Sequence, residues 1–88
     1  MTDALEQHRA RLEWRCRRGM RELDIVLMRY MRRSFDHAAQ AEKDAFEALL
    51  SLHDPEILDL LTGRLIAENA GLRHVIERLL ANSRSEDR

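Results

Sequence analysis

The densest group of charged side chains in the sequence surrounds one glycine near its beginning. Residues 14–24 contain the only Trp of the chain, four Arg, two acids and Gly19. Glycine adopts positive φ at little cost and lets another backbone approach closely, and carboxylates just after a helix start are favoured by the helix dipole. The segment is therefore either a charged helix–Gly–helix corner that binds a partner, or an ordinary corner with solvated charges.

The residues that most often hold metals are scattered along the chain. No histidine stands three or four residues from another histidine or from the single cysteine, Cys16, so the spacing predicts no metal site. Cys16 has no partner for an internal disulfide, and it lies among arginines that would lower a thiol pKa. It is either a reactive thiol or a small residue closing a helix. The four histidines are His8, His37, His53 and His74.

Side chains for catalysis or nucleotide binding are equally sparse. No serine has the strand–turn–helix context of a nucleophile elbow. Gly19, Gly63 and Gly71 are isolated, so no glycine-rich loop can hold phosphates. The sequence predicts no enzyme and no stably bound cofactor.

The elements that would position the charged segment are all predicted to be helices. Asp3 and the pair Asp54-Pro55 are helix starts, with Asp54 as N-cap and Pro55 at the first helical position. Gly63 is a candidate left-handed C-cap. The predicted helices run over about 3–16, 21–35 and 39–52, then from 54 to Gly63, and from 68 or 69 to 82.

Apolar residues recur at helical spacing in each predicted helix. The pattern predicts an all-α fold, a single compact bundle of about five short helices over residues 1–82, with a disordered polar tail over 83–88. The predicted inward positions include Leu5, His8, Leu12 and Cys16, then Met20, Leu23, Val26, Leu27, Tyr30, Met31 and Phe35, then Ala38, Ala45, Phe46, Leu49 and Leu50, then Ile57, Leu58, Leu60 and Leu61, and finally Leu72, Val75, Ile76, Leu79 and Leu80.

Length and charge narrow the class of protein further. The 88 residues suffice for one domain, and the net charge of −1 argues against a protein that coats nucleic acid. Residues 1–33 carry nine arginines against five acids, net +4, whereas residues 34–88 are net −5. This asymmetry is either a recognition face or two halves that neutralise each other. The free thiol and the lack of a targeting signal or membrane-length apolar run predict a bacterial cytoplasmic protein, or an already processed organelle protein, without membrane insertion.

The charged segment also resembles a known motif. Five specified positions match R-G-M-x-E-x-D, the signature of the SdhE family of flavinylation factors. Trp14 and Arg17 also resemble the residues that precede this motif in the family. The chain is similar to that family in size, helical pattern, motif position and the late Asp-Pro helix start. The matching stretch reads Arg18-Gly19-Met20-Arg21-Glu22-Leu23-Asp24.

The resemblance implies a small five-helix assembly factor and chaperone, not an enzyme. Such proteins bind the flavoprotein subunit of succinate dehydrogenase, and in some bacteria that of fumarate reductase, and promote covalent attachment of FAD to a histidine of that client. It also implies that the flavin ends on the client. Separately from the resemblance, we expect the free factor to be a monomer. The implied partner-binding residues are Arg17, Arg18, Gly19, Met20, Glu22 and Asp24.

A physical hypothesis follows for that surface. Gly19 lets the corner lie flat on the client, Met20 supplies an adaptable apolar contact, and Arg18 pairs with a client carboxylate or reaches flavin-site polar groups. Glu22 and Asp24 pair with client bases or orient the arginines. Two alternatives stay open: a regulatory, antitoxin-like interaction module, and a nucleic-acid-binding helical domain with a helix-turn-helix-like corner.

Overall fold

Helix boundaries follow the capping residues that the sequence contains. The computed structural model describes residues 3–86, which form five α-helices and one 3₁₀ turn and include no strand. This confirms the predicted all-α fold of five short helices. The elements are α1 (Ala4–Arg15), α2 (Arg21–Arg33), the 3₁₀ turn (Phe35–His37), α3 (Gln40–Leu50), α4 (Asp54–Thr62) and α5 (Ala70–Glu86).

Three helix ends are capped as their sequences allow, and the caps at Asp3 and Gly63 are the predicted ones. The Asp3 carboxylate accepts a 2.9 Å hydrogen bond from the backbone N–H of Glu6 at the start of α1. The Asn69 side-chain oxygen accepts from the Leu72 N–H at 2.7 Å at the start of α5. Gly63 ends α4 with φ +84°, which confirms the left-handed C-cap.

The start of α4 differs from the prediction by one residue. His53, not Asp54, is the N-cap, and the Glu56 carboxylate accepts a 3.3 Å hydrogen bond from the His53 backbone N–H. Asp54 is the first helical residue, and its carboxylate accepts a hydrogen bond from Arg18 instead. The sequence could not reveal this, because the competing donor lies 36 residues away.

Two other helix ends also differ from the prediction. Helix α2 stops at Arg33, and Phe35 enters the core from the 3₁₀ turn. Helix α5 continues past Asn82 to Glu86, because Asn82 donates to Ser34 Oγ at 3.0 Å and Ser83 Oγ accepts from Arg29 at 2.9 Å. Residues 87 and 88 lie outside the described part of the chain, so the predicted disorder there stays a prediction.

The core lies where α5 packs against α2 and α3. Tyr30 and Phe46 stack with ring centroids 4.2 Å apart, and the Tyr30 ring also meets Phe35 edge-on. Most predicted inward positions are buried or pack against the core. Leu5 is the main error, since it is 80% exposed. The buried Ala67 was not predicted.

Helix α1 is attached mainly by its second half and by charged side chains. Leu12 and Cys16 are its buried residues. Arg9 donates to Asp36 at 3.0 Å and to the Met31 carbonyl at 2.9 Å. None of the helices within residues 3–86 is long and apolar enough to cross a membrane.

Candidate partner-binding corner

The predicted partner-binding residues form the connection between α1 and α2 and the first turn of α2. We call residues 17–24 the Gly19 corner. Gly19 has φ +84°, a backbone conformation that L side chains rarely adopt. Nothing lies within 4 Å of the position that a Cβ on Gly19 would occupy. The glycine is thus required by backbone conformation, and its outer side is open to a partner.

The corner divides into an outward set and an inward set. Arg17, Gly19 and Glu22 are exposed, and Met20 is partly buried against the core. Arg18 and Asp24 are half-buried and engaged within the chain. Three of the six predicted partner-binding residues are therefore exposed, and the other three are half-buried. Their binding role stays a prediction.

Arg18 is the most heavily bonded side chain of the corner. Its guanidinium donates to the carbonyls of Leu50 at 2.8 Å and Leu52 at 2.6 Å, and to the Asp54 carboxylate at 2.8 Å. A fourth bond of 3.3 Å reaches the Arg15 carbonyl. The side chain is only 15% exposed. The hypothesis that Arg18 pairs with a client carboxylate does not fit this geometry, because its donors point into the chain.

Asp24 closes the corner from the side of α2. Its carboxylate accepts a 2.7 Å hydrogen bond from the Arg18 backbone N–H, while its own N–H donates to the Met20 carbonyl at 2.9 Å. Of the two roles hypothesised for this acid, orienting an arginine fits the geometry, since its carboxylate holds the Arg18 backbone. Glu22 remains exposed on the same first turn.

Two large apolar side chains lie exposed on either side of the corner in sequence. Trp14 is 76% exposed near the end of α1, and Ile25 is 44% exposed in α2. Helical periodicity places both opposite the buried stripes of their helices. Ile25 was missed by the sequence reasoning, although its position three residues from Glu22 on the outward face was the available signal.

Cys16 is buried and does not have the character of a reactive thiol. Its side chain is inaccessible to solvent. Burial raises the pKa of the thiol to about 12, and this outweighs the opposite influence of Arg18 and Arg15. The interpretation of Cys16 as a small residue closing α1 therefore fits, because thiolate chemistry requires a lowered pKa and access.

Two of the four histidines, His8 and His74, pair with acids of α3. His8 lies 3.2 Å from Glu47, and His74 lies 2.7 Å from Glu42. No group of three or more His, Cys, Asp or Glu within residues 3–86 could hold a metal ion. These contacts connect α1 and α5 to α3.

Three arginines of the basic first third bond to side chains of the remainder of the chain. Arg9 pairs with Asp36, Arg18 pairs with Asp54, and Arg15 donates to Ser51 Oγ at 3.0 Å. Hydrogen bonding to Asp36 also raises the pKa of Arg9. These three arginines thus attach α1 and the corner to the rest of the fold.

Comparison with known proteins places this geometry in a family. A family model described as the flavinator of succinate dehydrogenase matches residues 10–83. The FAD assembly factor SdhE of Vibrio cholerae serotype O1 is 38% identical over 82 residues, covering 93% of this chain and 95% of that protein. This chain belongs to the SdhE family. The resemblance first seen in the motif is therefore confirmed.

A second SdhE relative and a solved structure show a comparable extent of similarity. The FAD assembly factor SdhE of Haemophilus ducreyi is 36% identical over 77 residues, covering 88% of this chain and 94% of that one. The solution structure of a protein described as UPF0350 superposes with a TM-score of 0.74 at 36% identity, covering 98% of this chain and 89% of that one. The Vibrio cholerae and Haemophilus ducreyi relatives are named as assembly factors and not as enzymes, so the chain is a member of a family of FAD assembly factors.

Proposed function

We propose that this protein binds the flavoprotein subunit of succinate dehydrogenase through the Gly19 corner and promotes covalent attachment of FAD to that subunit. The observation that carries the proposal is the match of the family motif to an exposed corner built on a positive-φ glycine. Membership of a family described as the flavinator of succinate dehydrogenase supports the client. A fumarate reductase flavoprotein is a second client of the same kind.

The corner contributes binding and orientation rather than reacting groups. Arg17 and Glu22 offer opposite charges on the outer side, while Met20 and Gly19 offer an apolar and a backbone contact. Such a surface can hold a client flavin pocket in the geometry where flavin and histidine are aligned, which lowers the barrier by orientation. We propose that the flavin remains with the client and that the free factor is a cytoplasmic monomer.

The bonding of the arginines weighs against the nucleic-acid alternative. Arg9, Arg15 and Arg18 donate to carboxylate, hydroxyl or carbonyl oxygens of the same chain. Phosphate binding requires such groups to be available to the nucleic acid and produces a steep loss of affinity with salt. We therefore expect binding to the flavoprotein client to depend only weakly on salt.

The proposal is tested by in-gel flavin fluorescence of the succinate dehydrogenase flavoprotein subunit. The host lacks its own factor and expresses this protein or a variant. Denaturation leaves only covalently bound flavin, so the fluorescent band reports the attachment directly. We expect wild type to restore the band and Gly19→Arg to lose it while keeping the helical circular dichroism spectrum.

Gly63 provides a matched control for this experiment. It has the same φ of +84° and the same open space around a Cβ, but it ends α4 instead of preceding α2. Gly63→Arg therefore imposes the same backbone strain away from the motif, and we expect it to retain the band. A band lost equally in both variants would assign the effect to strain. No band with folded wild type would contradict the proposed function.

A further inference from the structure

Arg18 donates to two backbone carbonyls at or just after the end of a helix, where carbonyls lack their usual intrahelical donors. Leu50 is the last residue of α3, and Leu52 lies in the turn that follows. Carbonyls at a helix C-terminus have no intrahelical donor and carry partial negative charge. A guanidinium placed there satisfies the Leu50 carbonyl, also binds the Leu52 carbonyl just beyond the helix, and favours the dipole of α3. Arg18 is therefore a C-terminal cap supplied by a different part of the chain.

The third acceptor connects the same guanidinium to the next helix. Asp54 is the first residue of α4, and its carboxylate, 32% exposed, accepts from Arg18 Nε at 2.8 Å. One planar side chain thus bridges the end of α3 and the start of α4. A lysine could not replace it, because a single ammonium lacks the fork of five N–H donors that spans separate acceptors.

The backbone of Arg18 is held independently of its side chain. Its N–H donates to the Asp24 carboxylate in α2, whereas its guanidinium binds the Arg15 carbonyl at the end of α1. Residue 18 is consequently attached to the connection between α1 and α2 and to the connection between α3 and α4. Residue 18 is followed by Gly19, whose φ of +84° sets the direction of the exposed part of the corner.

From these contacts we infer that Arg18 is a positioning residue, which with Asp54 sets the orientation of Arg17, Gly19 and Glu22 toward the partner instead of contacting it. The Asp-Pro start of α4 and the motif arginine then act as one unit across 36 residues. The inference rests on the proposed function for its partner. The positioning itself is a property of the free chain and is tested there first.

The first test measures amide hydrogen exchange in the free protein. The Arg18 N–H, bonded to Asp24, reports the order of the corner. We expect its exchange rate to rise about tenfold in Arg18→Lys and about threefold in the nearly isosteric Asp54→Asn, as charge-assisted bonds are lost. Arg17→Lys, a matched change at the exposed neighbour, should leave it unchanged. Unaltered exchange in both Arg18→Lys and Asp54→Asn would overturn the inference.

The second test separates positioning from direct contact with the client. The isolated flavoprotein subunit, FAD and increasing amounts of each variant are combined, and covalent flavin is measured. Positioning predicts that Arg18→Lys raises the half-saturating concentration about tenfold with an unchanged plateau. Asp54→Asn should raise it in the same direction, and the double variant should be no weaker than Arg18→Lys alone.

The contrary results are equally defined. Suppose that Asp54→Asn behaves as wild type, while Arg18→Lys raises the half-saturating concentration and also lowers the plateau of covalent flavin. Arg18 then touches the client or its flavin, and the inference is wrong. If wild type itself fails to support flavin attachment, the proposed function fails. In that case the exchange experiment alone decides whether Arg18 and Asp54 order the corner.

Discussion

At the scale of single residues, two glycines of this chain differ in whether their backbone conformation would accept a side chain. Gly19 lies at positive φ in open space, whereas Gly71 lies within α5 without positive φ, where a Cβ would meet Ala45 Cβ at an ordinary 3.5 Å. A side chain is thus opposed at residue 19 by backbone conformation and accommodated at residue 71 by packing.

This difference predicts opposite effects of one substitution. Gly19→Ala should lower the free energy of unfolding by about 1 kcal/mol, because the left-handed conformation is strained for alanine. Gly71→Ala should raise it by up to about 1 kcal/mol, because alanine favours helix. Urea unfolding followed by circular dichroism measures both. A stabilising Gly19→Ala would contradict the strain argument.

Two buried titratable groups predict how stability varies with pH. Burial raises the pKa of Cys16 to about 12, and burial together with the Glu42 hydrogen bond raises the pKa of Tyr30. An unfolded thiol ionises near pH 8.5, so above that pH the unfolded chain has lost a proton that the native chain retains. The stabilising effect is complete below about pH 8.5 and declines as the pH rises.

Urea unfolding at a series of pH values from 7 to 10 tests this expectation. The free energy of unfolding should fall above about pH 8.5 in wild type, and Cys16→Ala should remove the decline below the range where tyrosine ionises. A thiol reagent should also react slowly with the native protein at pH 8. A flat profile in wild type, or immediate reaction of the native thiol, would show that Cys16 is accessible.

At the scale of helices, α3 joins the core to its neighbours through one buried acid. Glu42, whose side chain is 9% exposed, accepts from the Tyr30 hydroxyl at 2.7 Å and lies 2.7 Å from His74 in α5. Glu47 on the same helix also pairs with a histidine, but it is 37% exposed and the contact is 3.2 Å. Glu42 therefore makes a largely buried connection to its neighbours, whereas Glu47 makes a solvated one.

Alanine substitution should separate these two connections. Glu42→Ala leaves the buried Tyr30 hydroxyl without its acceptor and should cost about 2 kcal/mol of unfolding free energy. Glu47→Ala should cost less than about 1 kcal/mol, since exposed pairs contribute little. Thermal unfolding at pH 7 compares them. Equal losses would mean that the Tyr30–Glu42 bond adds nothing beyond the surface pair.

At the scale of the whole molecule, the end of α5 tests where the folded domain stops. The sequence predicts a boundary at residue 82, whereas Ser83 Oγ accepts a 2.9 Å hydrogen bond from Arg29 of α2. A chain ending at residue 82 should be less stable than one ending at residue 86 by about 1 kcal/mol. Chemical unfolding of the two truncated chains measures the difference. Identical stabilities would favour the predicted boundary.

How much the sequence could predict depends on the range of the interaction. Local signals were reliable: the Asp3 cap, the left-handed Gly63 and the stripe of Leu23, Leu27 and Met31 all follow from neighbours within four residues. Leu5 failed because no other element covers the first turn of α1. The position of the motif was also evident, since the motif is contiguous.

The internal role of Arg18 was beyond sequence reasoning for the opposite reason. Its acceptors at Leu50, Leu52 and Asp54 lie 32 to 36 residues away, and two of them are backbone carbonyls that any residue would provide. No side-chain pattern encodes such an acceptor. The same holds for Arg9, which donates to the Met31 carbonyl.

The bonds that order the Gly19 corner also determine when it can form during synthesis. The ribosome synthesises the motif residues 18–24 early. The carbonyls and the carboxylate that bind the Arg18 guanidinium emerge only with residues 50–54. Until then residues 34–53 supply a net charge of −3 against the +4 of residues 1–33. A chain interrupted before Asp54 would display the complete motif and lack the bonds that order it, so the proposed engagement of the client would depend on completion of the fold.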